Sequence, residues 1–464
     1  MTWTLEDVLS ATGGVAAVGA PARSFAAVTT DSRHVAPGAL FFALHGPRHD
    51  GHDFVPEALR CGATGAVVER RLDHVSAPQV CVPDTLKALG DLGRWTRLRS
   101  AAPVIAITGS NGKTTTKELV AAICAAADFA SPHTQILKTE GNENNLIGLP
   151  RTLLRLCGDE AVVVLEMGMN RPGEIARLTE IARPDYAVIT NVGSAHLEGF
   201  GGSLAGVAAA KAELFAGLTP DARIAVNVDD EWVRRLATTV PNRKVTFGGG
   251  GDVHARAIVD LGLDGMAFDL VIAGRTARVR LRLVGHHNVA NALAAAAVGH
   301  SMGLSLEVIA RGLQNGVAPQ MRMQVTRLAN GVAVINDTYN ANPSSVEAAL
   351  VALRRFSGRP VVVLGEMREL GDEARRAHRG IGARAAALGV QQLVVLGAQA
   401  DAVASGACAG GMPSDAVHIC ASHAEAAQAV VARWQPGDVV LIKGSRGARM
   451  EEVVRLLESA GSQS

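Results

Sequence analysis

A short glycine-rich loop between an apolar run and a helical run constrains this chain more than any other feature. Residues 104–107 are apolar and predict a buried strand, the loop 109–115 reads GSNGKTT, and a helix is predicted from there to about residue 127. Glycines let backbone N–H groups face phosphate oxygens, and the N-terminus of a helix favours negative charge. A strand, a phosphate-type loop and a helix in this order predict an α/β fold with a parallel sheet.

The same loop carries the side chains that nucleotide binding needs. Lys113 is expected to reach the β- and γ-phosphates, and the Thr114 hydroxyl is expected to bind Mg²⁺. The pattern is shorter than the general G-x-x-x-x-G-K-[ST] form, because Ile107 stands where its first glycine belongs. A glycine-rich turn with a solvated lysine is the alternative. We predict a nucleotide-binding loop formed by Gly109, Ser110, Asn111, Gly112, Lys113, Thr114 and Thr115.

Apolar runs alternating with helical stretches divide the chain into three predicted α/β domains. A length of 464 residues suggests about three domains. Residues 1–102 are predicted to form a small α/β domain that ends in a linker at 97–103. A central parallel-sheet domain is predicted at 103–318 and a Rossmann-like α/β domain at 319–464, with a hinge at 315–323. The predicted strands of these two domains are 104–107, 161–165, 186–189, 224–228, 332–335, 361–364, 393–396 and 439–442.

Charge and apolar patterning exclude several classes of protein. The 45 basic and 44 acidic residues give a net charge of +1, so there is no electrostatic footprint for nucleic acid. The amino terminus lacks the pattern of a signal peptide, and no apolar run approaches the roughly 18 residues that span a bilayer. Six scattered cysteines without a C-x-x-C pair indicate reduced thiols. A cytoplasmic protein without membrane insertion is predicted.

Three polar residues stand where a metal could be bound near the phosphates. Glu166 ends the apolar run 161–165, so its carboxylate is expected at the carboxyl edge of the sheet, where a metal bound to phosphates needs such a ligand. His196 follows the predicted strand 186–189 and Lys211 lies in a predicted helix, 204–218. Each has a plainer interpretation. Glu166 could be an exposed strand end, His196 a surface residue, and Lys211 an ordinary amphipathic-helix lysine.

Another set of polar residues suits the nucleoside end of a nucleotide. Asn288 and Asn291 share one face of a predicted alanine-rich helix, and their amides could recognise adenine. Asp337 follows the predicted strand 332–335, where a carboxylate could accept ribose hydroxyl bonds. Asn288 could instead cap the helix, and the Asn/Tyr/Pro-rich segment after Asp337 could be only a turn.

Taken together, these motifs resemble the Mur ligases, the ATP-dependent amino acid–adding enzymes of peptidoglycan synthesis. The resemblance covers essentially the whole chain, in order. Within the family, it is similar to the branch that adds a dipeptide. The motifs that carry it are Asp31-Ser-Arg33, Asp50-Gly-His-Asp-Phe54, the phosphate loop, Gly141-Asn-Glu-Asn-Asn145, Leu165-Glu-Met-Gly168, His196-Leu-Glu-Gly-Phe200, Lys211-Ala-Glu213, His287-Asn288, Asp337-Thr-Tyr-Asn-Ala-Asn-Pro343, Gly365-Glu-Met367, Glu369-Leu-Gly371 and Lys443-Gly-Ser-Arg446.

The resemblance implies ATP and two Mg²⁺ ions as cofactors. It implies that Lys211 is carbamylated, which would make it an anionic oxygen ligand, and that Glu166 and His196 are also metal ligands. It further implies that Arg322 contacts the ATP phosphates from the hinge. Met321 stands where the family has a glycine, and Asn336 where many members have a second aspartate.

The same resemblance implies the substrates and their sites. They would be UDP-N-acetylmuramoyl-tripeptide, bound by the first and central domains, and D-alanyl-D-alanine, bound by the last domain. A monomer is expected. The residues implied to contact substrates are Ser32, Asn142 and Asn145 on the muramoyl side, and Tyr339, Asn340 and Ser445 on the dipeptide side.

Three rival functions are weighed against this one. A sibling Mur ligase that adds a single diamino acid would carry a D-N-P-R segment in the last domain, and the segment 337–343 reads DTYNANP instead. A folylpolyglutamate-type ligase fits less well, because the first hundred residues match the UDP-binding domain. A nucleotide-dependent switch without ligase activity would need neither those motifs nor a second set of metal ligands.

Overall fold

The computed structural model describes residues 1–17, 24–46, 48–129, 134–193, 197–201 and 203–462. It confirms an α/β protein of three domains, each built around its own largely parallel sheet. None of the helices in these ranges has the length and apolarity needed to cross a bilayer.

The first domain is a small sheet flanked by helices. Its elements are β1 (Trp3–Thr4), α1 (Leu5–Thr12), β2 (Val15–Ala16), β3 (Ser24–Phe25), β4 (Ala27–Thr29), β5 (Ala39–Phe42), α2 (Val55–Arg60), β6 (Ala63–Val68), β7 (Gln79–Cys81) and α3 (Thr85–Leu98). The main sheet has the order β2-β7-β6-β5-β4, parallel except for β2, and β1 pairs with β3 in a separate ribbon. Strand β5 is buried at every position, as expected for a parallel strand covered on both faces.

The central domain is organised around a large sheet with the order β16-β15-β14-β13-β12-β11-β8-β10-β9. Strands β8 to β14 all run parallel to one another. Strands β14, β15 and β16 are paired antiparallel and extend the sheet at one edge. The elements are β8 (Val104–Thr108), α4 (Lys113–Ala125), β9 (Gln135–Lys138), α5 (Gly148–Leu153), β10 (Glu160–Glu166), α6 (Glu174–Ala182), β11 (Tyr186–Ile189), α7 (Leu204–Ala216), β12 (Arg223–Asn227), α8 (Glu231–Thr238), β13 (Arg243–Phe247), β14 (Val253–Asp260), β15 (Met266–Ile272), β16 (Arg275–Leu281), α9 (His287–Ser301) and α10 (Leu306–Asn315).

Helix α9 explains how the central domain packs its phosphate-loop helix. The helix is buried along most of its length and is dominated by alanine. Small side chains let it lie close to the sheet and to α4, and a helix apolar on all sides belongs inside a core. The amino ends of α4 and α9 therefore come together beside the phosphate loop.

The last domain has the sheet order β17-β18-β22-β19-β20-β21, in which β17 is antiparallel and the others parallel. Its elements are β17 (Gln324–Arg327), β18 (Ala333–Asp337), α11 (Pro343–Leu353), β19 (Arg359–Leu364), α12 (Ala374–Ala387), β20 (Gln392–Leu396), α13 (Ala400–Ala409), β21 (Val417–Cys420), α14 (His423–Val431), β22 (Asp438–Lys443) and α15 (Glu451–Ser462).

The predicted strands are confirmed to within two residues at each end, and the predicted hinge falls between α10 and β17. Two predictions need correction. The helix predicted at 204–218 ends at Ala216. The predicted linker at 97–103 is partly helical and is tied down, because the buried Arg97 donates to the Ala182 carbonyl at 3.0 Å and pairs with Asp185 at 2.9 Å. The first and central domains are thus joined firmly through α3.

Candidate active site

Two glycines give the phosphate loop its shape. Gly109 and Gly112 have φ angles of 151° and 80°, which side chains disfavour. There is also no room for a side chain. A Cβ at Gly109 would come within 1.9 Å of the Thr190 hydroxyl oxygen, and one at Gly112 within 2.1 Å of the Asn291 amide oxygen. The loop needs glycine at both positions for conformation and for space.

Residues after the neighbouring strand β11 hold the loop in place. The Asn111 N–H donates to the Asn191 side-chain oxygen at 2.9 Å, and the Thr190 hydroxyl donates to the Asn111 carbonyl at 2.6 Å. Ser110 exchanges hydrogen bonds with the backbone of Gly193. No motif in the sequence predicts these roles for residues 190–193. Their position after a strand next to β8 was the available signal.

Lys113 lies folded back over its own loop. Its ammonium donates to the Gly109 carbonyl at 2.8 Å. Burial lowers the pKa of Lys113, Glu166 opposes that shift, and Arg322 adds to it. Lys113 is partly buried and makes no ion pair with a carboxylate among the described residues. Such a cation is well suited to an anionic ligand, because phosphate oxygens would neutralise its charge.

Glu166, the last residue of β10, is the centre of an oxygen-rich cluster. The carboxylate is buried and accepts from the Thr114 hydroxyl at 2.7 Å and from the Asn144 amide at 2.8 Å. A hydroxyl and a carboxylate at hydrogen-bond distance beside a phosphate loop form a donor set that Mg²⁺ prefers. Glu166 and Thr114 lie at the sheet edge where the sequence predicts them. Asn144 was not predicted, although it lies within the motif Gly141-Asn-Glu-Asn-Asn145.

The two other predicted metal ligands differ in what the structure says of them. Lys211 is 2% exposed on α7, and burial together with the charge of Lys113 holds its pKa well below the usual value. The interpretation of Lys211 as an ordinary surface lysine is therefore wrong. His196 lies outside the described residues, and its role stays a prediction.

The amides predicted for adenine recognition lie where a nucleotide on the loop would be reached. Asn288 and Asn291 are buried, and the Asn291 amide donates to the Asn288 side-chain oxygen at 2.9 Å. Asn288 does not cap α9: the N-cap residue is His286, and the Asn288 amide donates to the Val284 carbonyl at 2.8 Å. The capping alternative is thus excluded.

Asp337 is the last residue of β18 and is held on both oxygens. One oxygen pairs with the Lys443 ammonium at 2.5 Å, and the other accepts from the Met323 N–H at 3.2 Å. Lys443 also donates to the Asn340 carbonyl at 3.0 Å. This ion pair joins the ends of two adjacent strands, and no spacing in the sequence predicts it.

Arg322 reaches from the hinge into the central domain. One of its N–H groups donates to the Thr114 hydroxyl at 2.8 Å, and its guanidinium lies 4.1 Å from the centre of the Tyr339 ring. Burial raises the pKa of Tyr339. Met321 has a φ of 58°, so it adopts the left-handed backbone conformation that glycine favours.

A cavity of about 830 Å³ collects most of the predicted residues into one site between the central and last domains. Ser32 lies elsewhere, in the first domain, where its hydroxyl donates to Glu57 at 3.0 Å. The predicted site residues that line the cavity are Ser110, Asn111, Gly112, Lys113, Thr115, Asn142, Asn145, Glu166, Asn288, Asn291, Arg322, Asp337, Tyr339, Asn340 and Ser445.

The phosphate loop itself bridges the two domains across this cavity. The Asn111 amide donates to the Ser344 hydroxyl at 3.0 Å, and its oxygen accepts from the Asn342 amide at 3.1 Å. Asn342 is the N-cap of α11. The last domain is therefore docked on the loop by side chains that no local sequence pattern pairs together.

Comparison with known proteins agrees with this arrangement. Three family models match the chain: "Mur ligase family, catalytic domain" at residues 24–94, "Mur ligase middle domain" at 107–299 and "Mur ligase, glutamate ligase domain" at 321–446. The chain is 39% identical over 439 residues to UDP-N-acetylmuramoyl-tripeptide--D-alanyl-D-alanine ligase of Escherichia coli K12, which covers 94% of each chain.

Two solved structures are similar over nearly their full length. The crystal structure of MurF from Acinetobacter baumannii superposes with a TM-score of 0.90 at 35% identity and covers 99% of both chains. MurF ligase from Thermotoga maritima in complex with ADP superposes with a TM-score of 0.83 at 30% identity, covering 94% of this chain and 97% of that one.

Proposed function

The chain belongs to the Mur ligase family, and we propose that it joins D-alanyl-D-alanine to the carboxylate of UDP-N-acetylmuramoyl-tripeptide with cleavage of ATP. The observation that carries the proposal is the shared cavity. It brings a phosphate loop, a buried carboxylate and the strand ends of a separate domain within reach of one another. Such an arrangement suits an enzyme that must assemble three substrates.

The reaction needs a carboxylate to be activated before an amine can attack it. Transfer of the γ-phosphoryl group gives an acyl phosphate, the amine of the dipeptide attacks its carbonyl carbon, and phosphate leaves from the tetrahedral intermediate. Lys113 and Arg322 would neutralise charge on the transferred group, and such fixed charges are the main source of catalysis in phosphoryl transfer. Docking of the last domain would exclude water from the acyl phosphate.

Mg²⁺ would be held by Thr114 and Glu166, with His196 and Lys211 at a second ion, and it would supply charge neutralisation at the phosphates. The lowered pKa of Lys211 supports a carbamate there, because only the neutral amine reacts with carbon dioxide. A carbamate would convert a buried cation into an oxygen ligand.

We also propose how the substrates are distributed over the chain. Residues 1–102 would bind the UDP-muramoyl end through Ser32 and its neighbours, residues 103–318 would bind ATP, and residues 319–464 would bind the dipeptide. In the central domain Asn142 and Asn145 would contact the muramoyl side. We also propose that the enzyme is a monomer and that it is cytoplasmic.

A phosphate-release assay tests the proposal. With ATP and UDP-N-acetylmuramoyl-tripeptide present, D-alanyl-D-alanine is expected to support phosphate release, whereas single amino acids are not. The sibling function would reverse this preference and require UDP-N-acetylmuramoyl-dipeptide. Release that depends on no acceptor at all would favour a nucleotide switch.

A further inference from the structure

Three neighbouring strand ends of the last domain meet at one side of the cavity. The sheet places β18, β22 and β19 side by side and parallel, so the loops that follow them lie together at the carboxyl edge. The buried Ser445 hydroxyl ties these loops together. It donates to the Ala341 carbonyl at 3.2 Å and accepts from the Arg368 N–H at 2.9 Å. Arg368 is therefore carried by a loop of fixed position.

The charge of Arg368 is less neutralised than that of its neighbours. Lys443 pairs with Asp337 at 2.5 Å, and Arg446 pairs with Glu451 at 2.6 Å. In the described part of the chain, the carboxylate paired with Arg368 is that of Glu366, at a looser 3.6 Å. A guanidinium at the cavity wall with a weak partner is suited to bind a carboxylate from a ligand in a two-pronged manner.

Gly447 provides the space that this guanidinium occupies. A Cβ at Gly447 would lie 2.1 Å from an Arg368 terminal nitrogen and 2.7 Å from its central carbon. Both residues line the cavity. Any side chain at position 447 would push the guanidinium away from where it now lies.

The two charged ends of the dipeptide fit the charges of the cavity. Its amine must reach the acyl phosphate near Lys113 and Arg322, so its carboxylate must point away from them, roughly 7 Å further on for two extended residues. The geometry points to Arg368 as the residue that binds the terminal carboxylate of the incoming dipeptide. This assignment rests on the proposed function and names a specificity-determining residue for it.

A substrate without the terminal charge tests the assignment. With UDP-N-acetylmuramoyl-tripeptide and ATP saturating, phosphate release is measured against D-alanyl-D-alanine and against D-alanyl-D-alaninamide, whose terminus is neutral. For the unmodified enzyme, the KM for the amide is expected to be roughly 10- to 100-fold higher than the KM for D-alanyl-D-alanine. This ratio corresponds to the free energy of one charge-assisted hydrogen-bond pair.

Arg368→Gln should raise the KM for D-alanyl-D-alanine by a similar factor and leave that for the amide unchanged, so that the discrimination disappears. Gly447→Ala should act in the same direction without changing any charge. Arg375→Gln is the matched control, since Arg375 is an exposed arginine of the same domain, paired with Asp401 on a surface away from the cavity. It should retain the full preference for the acid.

The outcomes separate the two proposals. If Arg368→Gln retains the preference for the acid, Arg368 does not bind the dipeptide carboxylate, and the assignment fails while the function stands. A rise in the KM for the tripeptide substrate instead would assign Arg368 to an acidic group of that substrate and also overturn it. An unmodified enzyme that ignores both dipeptides but accepts a single amino acid would overturn the proposed function itself.

Discussion

Lys113 is the residue whose position is best explained by a ligand. Its ammonium is partly buried and donates to its own loop, and within the described ranges it makes no ion pair with a carboxylate. Lys113→Ala is expected to lower kcat by roughly 10²- to 10³-fold or more, because a fixed charge at the transferred phosphate is lost. Thermal unfolding should show an intact fold. Lys87→Ala, an exposed lysine of α3, is the control, and normal turnover in a folded Lys113→Ala enzyme would contradict the site.

Lys211 offers a prediction about pH and carbon dioxide. Because burial and the charge of Lys113 lower the pKa of Lys211, the neutral amine that forms a carbamate is available at a lower pH than for a free lysine, and it is lost as the pH falls below that lowered pKa. Lys211→Ala should reduce activity roughly 10²-fold or more, and acetate or propionate should restore part of it. Lys244→Ala, at an exposed lysine of β13, should behave as the unmodified enzyme does. Full activity in Lys211→Ala would rule out the carbamate.

Met321 makes a prediction about backbone strain. A non-glycine residue at a φ of 58° costs about 1–2 kcal/mol. Met321→Gly should therefore unfold at a higher temperature than Met321→Ala, since both lose the same side chain and only glycine relieves the strain. Arg379 is an exposed residue in the middle of α12. There Arg379→Ala should unfold at a higher temperature than Arg379→Gly, because a helix favours alanine over glycine by about 1 kcal/mol. The same order at both positions would show that Met321 is unstrained.

At the scale of elements, the strand–loop–helix unit from β8 to α4 needs its glycines both for backbone conformation and for space. Comparing Gly112 with Gly389, a glycine of the last domain, separates these two reasons. Gly112 and Gly389 both have positive φ, of 80° and 79°. A Cβ at Gly112 would meet Asn291, whereas one at Gly389 would meet nothing within 4 Å.

Both Gly112→Ala and Gly389→Ala should lower thermal stability, because alanine is strained at either position. Only Gly112→Ala should also weaken ADP binding, by at least about tenfold, since the loop must move to admit the methyl group. Calorimetric titration with ADP measures this. Equal ADP affinity in the two variants would mean that the loop accommodates the side chain without loss.

At the scale of the whole molecule, the docked arrangement of the last domain depends on a few side chains. Ser344 accepts from the Asn111 amide across the cavity, whereas Ser345 makes its capping-box bonds with Asn342 inside its own domain. Ser344→Ala is expected to populate open arrangements, seen as a larger radius of gyration in small-angle scattering, and to lower kcat more than it raises the KM for ATP. Ser345→Ala should lower stability by about 1 kcal/mol and leave the scattering unchanged. Identical scattering for both variants would mean that Asn111 does not hold the domains together.

Parts of the fold followed from local patterns. Apolar runs predicted the parallel strands, and the glycines and Lys113 predicted a phosphate loop, because backbone conformation and periodicity are encoded in neighbouring residues. The antiparallel extension β14–β16 was not predicted. Strands β14 and β16 mix polar with apolar residues and are partly exposed, which is a weaker signal than the buried runs of β8 or β10.

The sequence by itself determined the family, the α/β architecture and the edge of the sheet on which Glu166 and Asp337 lie, since these depend on short motifs and on strand ends. Only the tertiary structure decided which distant groups share a site. It joined Asn111 to Ser344, Lys443 to Asp337 and Arg368 to Gly447, and it buried Lys211, which local composition describes as an ordinary lysine. The physical reason is that charge neutralisation, desolvation and close packing depend on distances through space, which spacing along a chain does not specify.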